Sequence, residues 1–209
     1  MPQPDTNRLD AISTRQSKYQ VFRLASIANH IEALNKLGLD AQSEREMREL
    51  LQITGYWQSS NELFQIPFRQ RRRRPWATRF SDGSFPVLYC SLEPDTAKAE
   101  VQYWFSKFSG RPSHRRSGYY RQISCSFEGT TKDLRPKLAA WPDLIHPDDY
   151  TFCNRLGAEA IQLELDGLLT PSARRSDGTN LPIFRSQAIA MVSEDDLITI
   201  TAGPVDVAE

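Results

Sequence analysis

"RFSDGSFPVLYCSLEPDTAKAE", residues 79–100, decides how the chain is read. Gly83 supplies a turn, and "FPVLYCS" (85–91) is a short apolar strand bounded by Gly83 and Pro94. Pro94 suits the first turn of a helix, where its missing N–H costs nothing. That helix runs on through "DTAKAEVQYWFSKF" and lays Ala97, Val101, Trp104, Phe105 and Phe108 on one broad face. A turn, a strand and a helix thus carry Arg79, Tyr89 and Glu100 through one compact unit, ten and eleven residues apart.

Downstream the same mixture continues. Residues 119–127 alternate, with Tyr119, Ile123, Cys125 and Phe127 on one face and Gln122, Ser124 and Ser126 on the other; Arg121 interrupts the apolar face. A helix over 149–164 precedes short strands near 168–171, 181–184, 187–192 and 197–202. Upstream, Leu24, Ile27, Ala28, Ile31 and Leu34 recur at helical spacing from Ser17 to Leu37, and Gly38 is placed to stop the helix. A second helix starts at Ser43, forms a capping box with Glu46, buries Met47, Leu50 and Leu51, and ends at Gly55. "LFQIPF" (63–68) reads as a strand. The expectation is an α+β fold with a mixed sheet core and flanking helices. Residues 1–61 form an N-terminal tail and helical hairpin, and residues 62–209 form the main domain.

The totals narrow the function classes. The 209 residues suffice for a core without staples. With 39% hydrophobic and 25% charged residues the composition is that of a globular protein. The 26 basic and 26 acidic side chains cancel, which gives no global attraction to nucleic acid or anionic membrane. The run Arg71 to Arg74 has only Trp76 beside it as an aromatic platform, and reads as a solvated loop. Cys90, Cys125 and Cys153 lie far apart among apolar neighbours, as buried free thiols do. No apolar run approaches the ~18 residues of a membrane span. The N-terminus lacks a signal peptide's apolar core, so a cytoplasmic location is expected, with signal-less export to a target cell the other route.

Four residues stand out chemically. Glu100 falls on or beside the apolar face of its helix, either snorkelling to water at the margin or facing a cleft. Arg79 sits in a turn, where a guanidinium is either solvated or gripping phosphate through its planar fork. Tyr89 is either core or a ring that stacks on a flat heterocycle with its hydroxyl at a pocket mouth. Ser172 lies where the apolar strand of "GLLTPSARRSDGTNLPIF" (167–184) enters a polar loop. His30, His114 and His146 fall in neither a nucleophile-elbow nor a metal-ligand pattern, so Ser172 reads as a ligand-positioning group and not a nucleophile. There is no Gly-rich phosphate loop of standard spacing.

From these residues onward the chain resembles the RES-domain family, named for an arginine, a glutamate and a serine. The resemblance rests on "RFSDG" (Arg79), "LYCS" (Tyr89), "AKAE" (Glu100), "LLTPSARR" (Ser172) and "NLPIF" (Asn180), in that order. It covers residue 62 or so to the C-terminus. Ser81 departs from the pattern, because many members carry Asn after the Arg-Phe pair.

The resemblance implies an ADP-ribosyltransferase-like fold that binds NAD. It further implies a bacterial toxin of a toxin–antitoxin pair that destroys NAD, by phosphorolysis or hydrolysis of the nicotinamide–ribose bond. NAD and inorganic phosphate would then be substrates, with no bound cofactor or metal. An antitoxin or immunity protein would restrain the enzyme. In this reading Glu100 stabilises the ribosyl cation, and Arg79 grips pyrophosphate or an attacking phosphate. Tyr89 packs on the nicotinamide or its ribose, and Ser172 and Asn180 hold the same ligand. Two rival functions keep the same residues in view: transfer of ADP-ribose to a macromolecule, and a non-enzymatic module that binds a partner through the N-terminal hairpin.

Overall fold

The computed structural model describes residues 8–26, 38–53, 64–65, 67–68, 77–108 and 116–202. Its strands are β1 (Thr14–Ser26), β2 (Leu88–Ser91), β3 (Arg116–Asp133), β4 (Gly167–Pro171), β5 (Thr179–Ile183) and β6 (Ile189–Ala202). Its longer helices are α1 (Ala41–Ile53), α2 (Pro94–Phe108) and α3 (Thr151–Gln162). The architecture is a mixed α+β fold with a sheet-dominated core.

The strands are ordered β1-β2-β5-β4-β3-β6, and β1 also pairs with β3, so five strands close on themselves and β6 extends the rim. All pairings are antiparallel except β3 with β4. β3 is long enough to serve three neighbours, taking β6 along Arg116–Phe127, β1 along Tyr120–Lys132 and β4 at Thr131–Asp133. Two register shifts against β6 mark bulges, which bend a strand without ending it. They explain why the two strands expected at 187–192 and 197–202 are one.

Among the described residues three apolar clusters hold the layers together. Val21, Leu88, Cys90, Ile123, Phe127, Leu181 and Ile183 fill the space enclosed by the strands, with Phe64 buried among them. Leu156 and Ala160 of α3 pack with Phe80, Leu144, Leu165 and Leu168 on the second face. Ala97 of α2 sits with Leu24 of β1 and Ile200 of β6.

The N-terminal region corrects the expected helical hairpin. Residues 17–26 are strand, paired with β3 through thirteen positions from Thr14↔Lys132 to Ser26↔Tyr120. The sheet therefore draws strands from both sides of residue 61. The cause is double-sided burial: Val21 and Ala25 join the enclosed core, while Leu24 and Phe22 face α2. A strand buried on both faces reads as the continuous run "VFRLA", which periodicity cannot tell from helix. Ile27, Ala28, Ile31 and Leu34 lie outside the described residues, as do Gly55 and Arg71 to Arg74.

The second expected helix exists, but Asp40 caps it instead of Ser43. Its Oδ1 accepts the N–H groups of Gln42 (3.0 Å) and Ser43 (2.8 Å). Leu50, expected in the buried stripe, is 53% exposed. The strand expected at 63–68 is corrected too: residues 64, 65, 67 and 68 are helical.

Candidate active site

The turn that carries Arg79 is braced from several directions. Thr78 and Ser81 close a tight turn, with the Thr78 N–H donating to the Ser81 carbonyl at 2.7 Å. Ser81, the departure from the family pattern, braces that turn: its hydroxyl donates to the Phe85 carbonyl (2.6 Å) and accepts from the Gly83 N–H (3.1 Å). Gly83, at φ +91°, occupies the left-handed region that glycine tolerates. From α3, Asn154 Nδ2 donates to the carbonyls of Thr78 and Arg79, both at 2.8 Å. Gly157 lets the helix press so close that a Cβ there would meet the Phe80 carbonyl oxygen at 2.0 Å.

The guanidinium of Arg79 then donates through one nitrogen to the carbonyls of Leu144 (3.3 Å) and His146 (2.8 Å). It lies 4.5 Å from the centre of the Tyr150 ring, a cation–π contact.

Glu100, Ser172, Asn180 and Tyr89 form one hydrogen-bonded cluster. Pro94 starts α2 as expected, and Glu93 ties its first turn to β5 by accepting from Thr96 Oγ1 (2.6 Å) and the Thr179 N–H (3.0 Å). Two turns on, Glu100 is 8% exposed. Its Oε1 accepts from Ser172 Oγ (2.8 Å) and from Asn180 Nδ2 (2.6 Å). Two donors on one oxygen suit an ionised carboxylate. Ser172 in turn accepts the N–H groups of Arg174 (3.1 Å) and Arg175 (3.2 Å), so its hydroxyl is fully engaged. The second Asn180 amide contact reaches Tyr89 Oη at 3.2 Å. Burial, reinforced by the Glu100 charge, pushes the Tyr89 phenol well above its usual range, which keeps it a protonated donor.

Glu100 and Tyr89 face a cavity of about 500 Å³. Glu100, Tyr89, Ser91, Arg79 and Arg23 contribute its polar wall, and Phe22, Leu24, Val101, Trp104 and Tyr150 much of its apolar one. Ser172 and Asn180 are not in the wall; they stand behind Glu100 and hold it. Arg79 shares the cavity, but its hydrogen bonds run to Leu144 and His146 and not to the Glu100 cluster.

Sequence reasoning passed over Arg23, Ser91 and Tyr150, and assigned Trp104 only to a core stripe. Arg23 lies on β1, donates to the Tyr89 carbonyl (3.3 Å), and keeps its Nε buried with no hydrogen-bond partner among the described residues. Its signal was an arginine inside the run "VFRLA", hidden once that run was read as helix. Ser91 lay inside the quoted "LYCS" without a role. Nothing in the sequence ties Tyr150, 71 positions on from Arg79, to the same site.

The three thiols are buried and free. Burial raises Cys125 to about 12, Cys153 to about 11 and Cys90 further still, so none is a ready nucleophile.

A chain of the crystal structure of the M. tuberculosis MbcT–MbcA toxin–antitoxin complex superposes with a TM-score of 0.56. It shares 17% identity, over 92% of this chain and 90% of that one, a likeness of fold. No curated protein gives a significant match. The model of the RES domain matches residues 54–202, which takes in Arg79, Tyr89, Glu100, Ser172 and Asn180. The chain belongs to the RES-domain family.

Proposed function

We propose that this protein is the toxin of a toxin–antitoxin pair and that it cleaves NAD at the nicotinamide–ribose bond. The observation that carries this reading is the braced carboxylate of Glu100 in the wall of a cavity that also holds two guanidinium groups. A cavity of about 500 Å³ suits a cofactor-sized molecule. Apolar and aromatic walls suit flat rings, and Arg23 and Arg79 suit a pyrophosphate or an incoming phosphate.

In the reaction the bond between the ribose C1′ and the pyridine nitrogen breaks. Its electron pair leaves with nicotinamide, which departs neutral. The ribose is left with oxocarbenium character, as in glycoside cleavage. The negative charge of Glu100, fixed before the substrate arrives, stabilises that developing cation. Tyr89, which keeps its proton, donates a hydrogen bond from its hydroxyl to the ribose end of the ligand. An anionic oxygen of inorganic phosphate, or the oxygen of a water that gives up a proton to solvent, then bonds to C1′. Ser172 and Asn180 act through Glu100, and a metal or cofactor has no role in this scheme.

The M. tuberculosis neighbour is one half of a toxin–antitoxin complex. By analogy we assign this chain a protein inhibitor, without which an NAD-destroying enzyme would harm its own cell.

The test is to incubate the purified protein with NAD, with and without inorganic phosphate, and identify products by mass spectrometry. Phosphate-dependent nicotinamide release with a phosphorylated ADP-ribose defines a phosphorylase. Release without phosphate, giving free ADP-ribose, defines a hydrolase. ADP-ribose found attached to a macromolecule would replace cleavage with transfer, and no release at all would refute the proposal.

A further inference from the structure

We infer that Ser91 is a positioning residue: through Asn180 it fixes which atoms Glu100 and Tyr89 present to the ligand. The inference rests on reading the cavity as the NAD-cleaving site, and its chain of contacts is short. β2 and β5 are antiparallel, with Ser91 directly opposite Asn180. Ser91 Oγ donates to Asn180 Oδ1 at 2.7 Å, and both residues are buried. On the other flank β4 sets Thr170 opposite Asn180, and Thr170 Oγ1 donates to the Asn180 main-chain carbonyl (3.3 Å).

The consequence follows from the chemistry of a primary amide, which has one accepting oxygen and one doubly donating nitrogen. With its oxygen claimed by Ser91, the Asn180 amide turns its nitrogen towards the cavity wall. That nitrogen donates to Glu100 Oε1 (2.6 Å) and Tyr89 Oη (3.2 Å). A rotated amide would set its oxygen against the carboxylate, a repulsion that the Ser91 hydroxyl helps to forbid. Tyr89 accepts from Asn180, so the phenolic proton is directed elsewhere, into the cavity that Tyr89 lines. Glu100 has Oε1 occupied twice, so Oε2 is the oxygen left for the ligand. One donor and one acceptor, both set by the same amide, match a ribose diol, in which one hydroxyl accepts and its neighbour donates.

Ser91 itself need not touch the substrate for this to work. The test compares Ser91→Ala and Ser91→Thr with the wild-type chain in two readouts. In NAD turnover, Ser91→Ala should lower kcat by about tenfold with KM changed less than about threefold, because a buried acceptor has lost its donor and the charged group it holds has loosened. Ser91→Thr keeps the hydroxyl and should recover most of the rate.

The second readout is the side-chain amide of Asn180 in a ¹H–¹⁵N spectrum, which does not need catalysis. In the wild type its two protons are held by different acceptors and should resonate far apart. In Ser91→Ala they should draw together and exchange faster with water. A kcat for Ser91→Ala within about twofold of wild type, or a lowered kcat with an unmoved Asn180 amide, overturns the inference. If the wild type does not cleave NAD, the proposed function fails, and the Asn180 amide alone decides the role of Ser91.

Discussion

Replacing Glu100 by Gln removes a charge and little else. The carboxylate is anchored through Oε1, which takes hydrogen bonds from Ser172 at 2.8 Å and Asn180 at 2.6 Å. A glutamine can set its carbonyl oxygen in that position and keep both donors satisfied, so folding should survive. What changes is the second position, where an –NH₂ replaces a negatively charged oxygen. A unit charge ~4 Å from a developing ribosyl cation, at an effective dielectric of ~20, is worth about 4 kcal/mol. That corresponds to a rate loss of about 10³-fold, in the range found when a single preorganised electrostatic group is removed.

The assay is nicotinamide release at saturating NAD, paired with a thermal melt. The expected result is a kcat lower by about 10³-fold with a melting temperature within about 2 °C of wild type. Glu100→Ala should behave differently, because it leaves the Ser172 and Asn180 donors unpaired and costs roughly 1–3 kcal/mol of stability as well. A Glu100→Gln protein that keeps kcat within about tenfold of wild type would refute the electrostatic role of the carboxylate, whatever its stability.

Arg23→Gln removes a cavity cation from a strand that keeps its main-chain pairing. Its KM for NAD should rise by about tenfold or more, the worth of one charge-assisted hydrogen bond, and titration calorimetry should show the same loss. Gly157→Ala brings a methyl group to within 2.0 Å of the Phe80 carbonyl, so backbone must move. It should cost roughly 1–3 kcal/mol and lower the melting temperature by several degrees. Activity should fall with it, because the displaced turn carries Arg79. The buried thiols make the protein alkali-sensitive. Cys125 and Cys153 ionise only at about 12 and about 11 in the fold against 9.0 in an unfolded chain. Above pH 9 the unfolded state therefore sheds protons first, and stability falls from there up to about pH 12. Melting temperatures across pH 8–11 should decline above 9 and less steeply in Cys153→Ala, and a flat profile would contradict the burial.

How much of this could be read from sequence depended on whether a residue's role was local. Arg79, Tyr89 and Glu100 sit on a turn, a strand and a helix that follow one another within 22 residues, and each element formed as its residues dictate. Gly83 takes a positive φ and Pro94 opens α2, because both act on their own backbone. β1 shows the opposite case. Val21 to Ala25 is an apolar run with one arginine, and whether it becomes helix or strand is settled by β3, a hundred residues away. Intrinsic preference is too weak to resist thirteen paired positions, and losing β1 also lost Arg23.

Ser172 and Asn180 fall between these cases. Their strand and loop were legible, but a direct contact with ligand was expected of both. The structure commits the Ser172 hydroxyl to Glu100 and two backbone N–H groups, and the Asn180 amide to Ser91, Glu100 and Tyr89, so both support the groups that line the cavity. A polar residue near a site looks the same in sequence whether it meets the ligand or supports a neighbour that does. Only the count of donors and acceptors separates the two. Among the described residues of this site that count leaves one carboxylate oxygen, one phenolic proton, the Thr78 hydroxyl and two guanidinium groups to meet whatever enters.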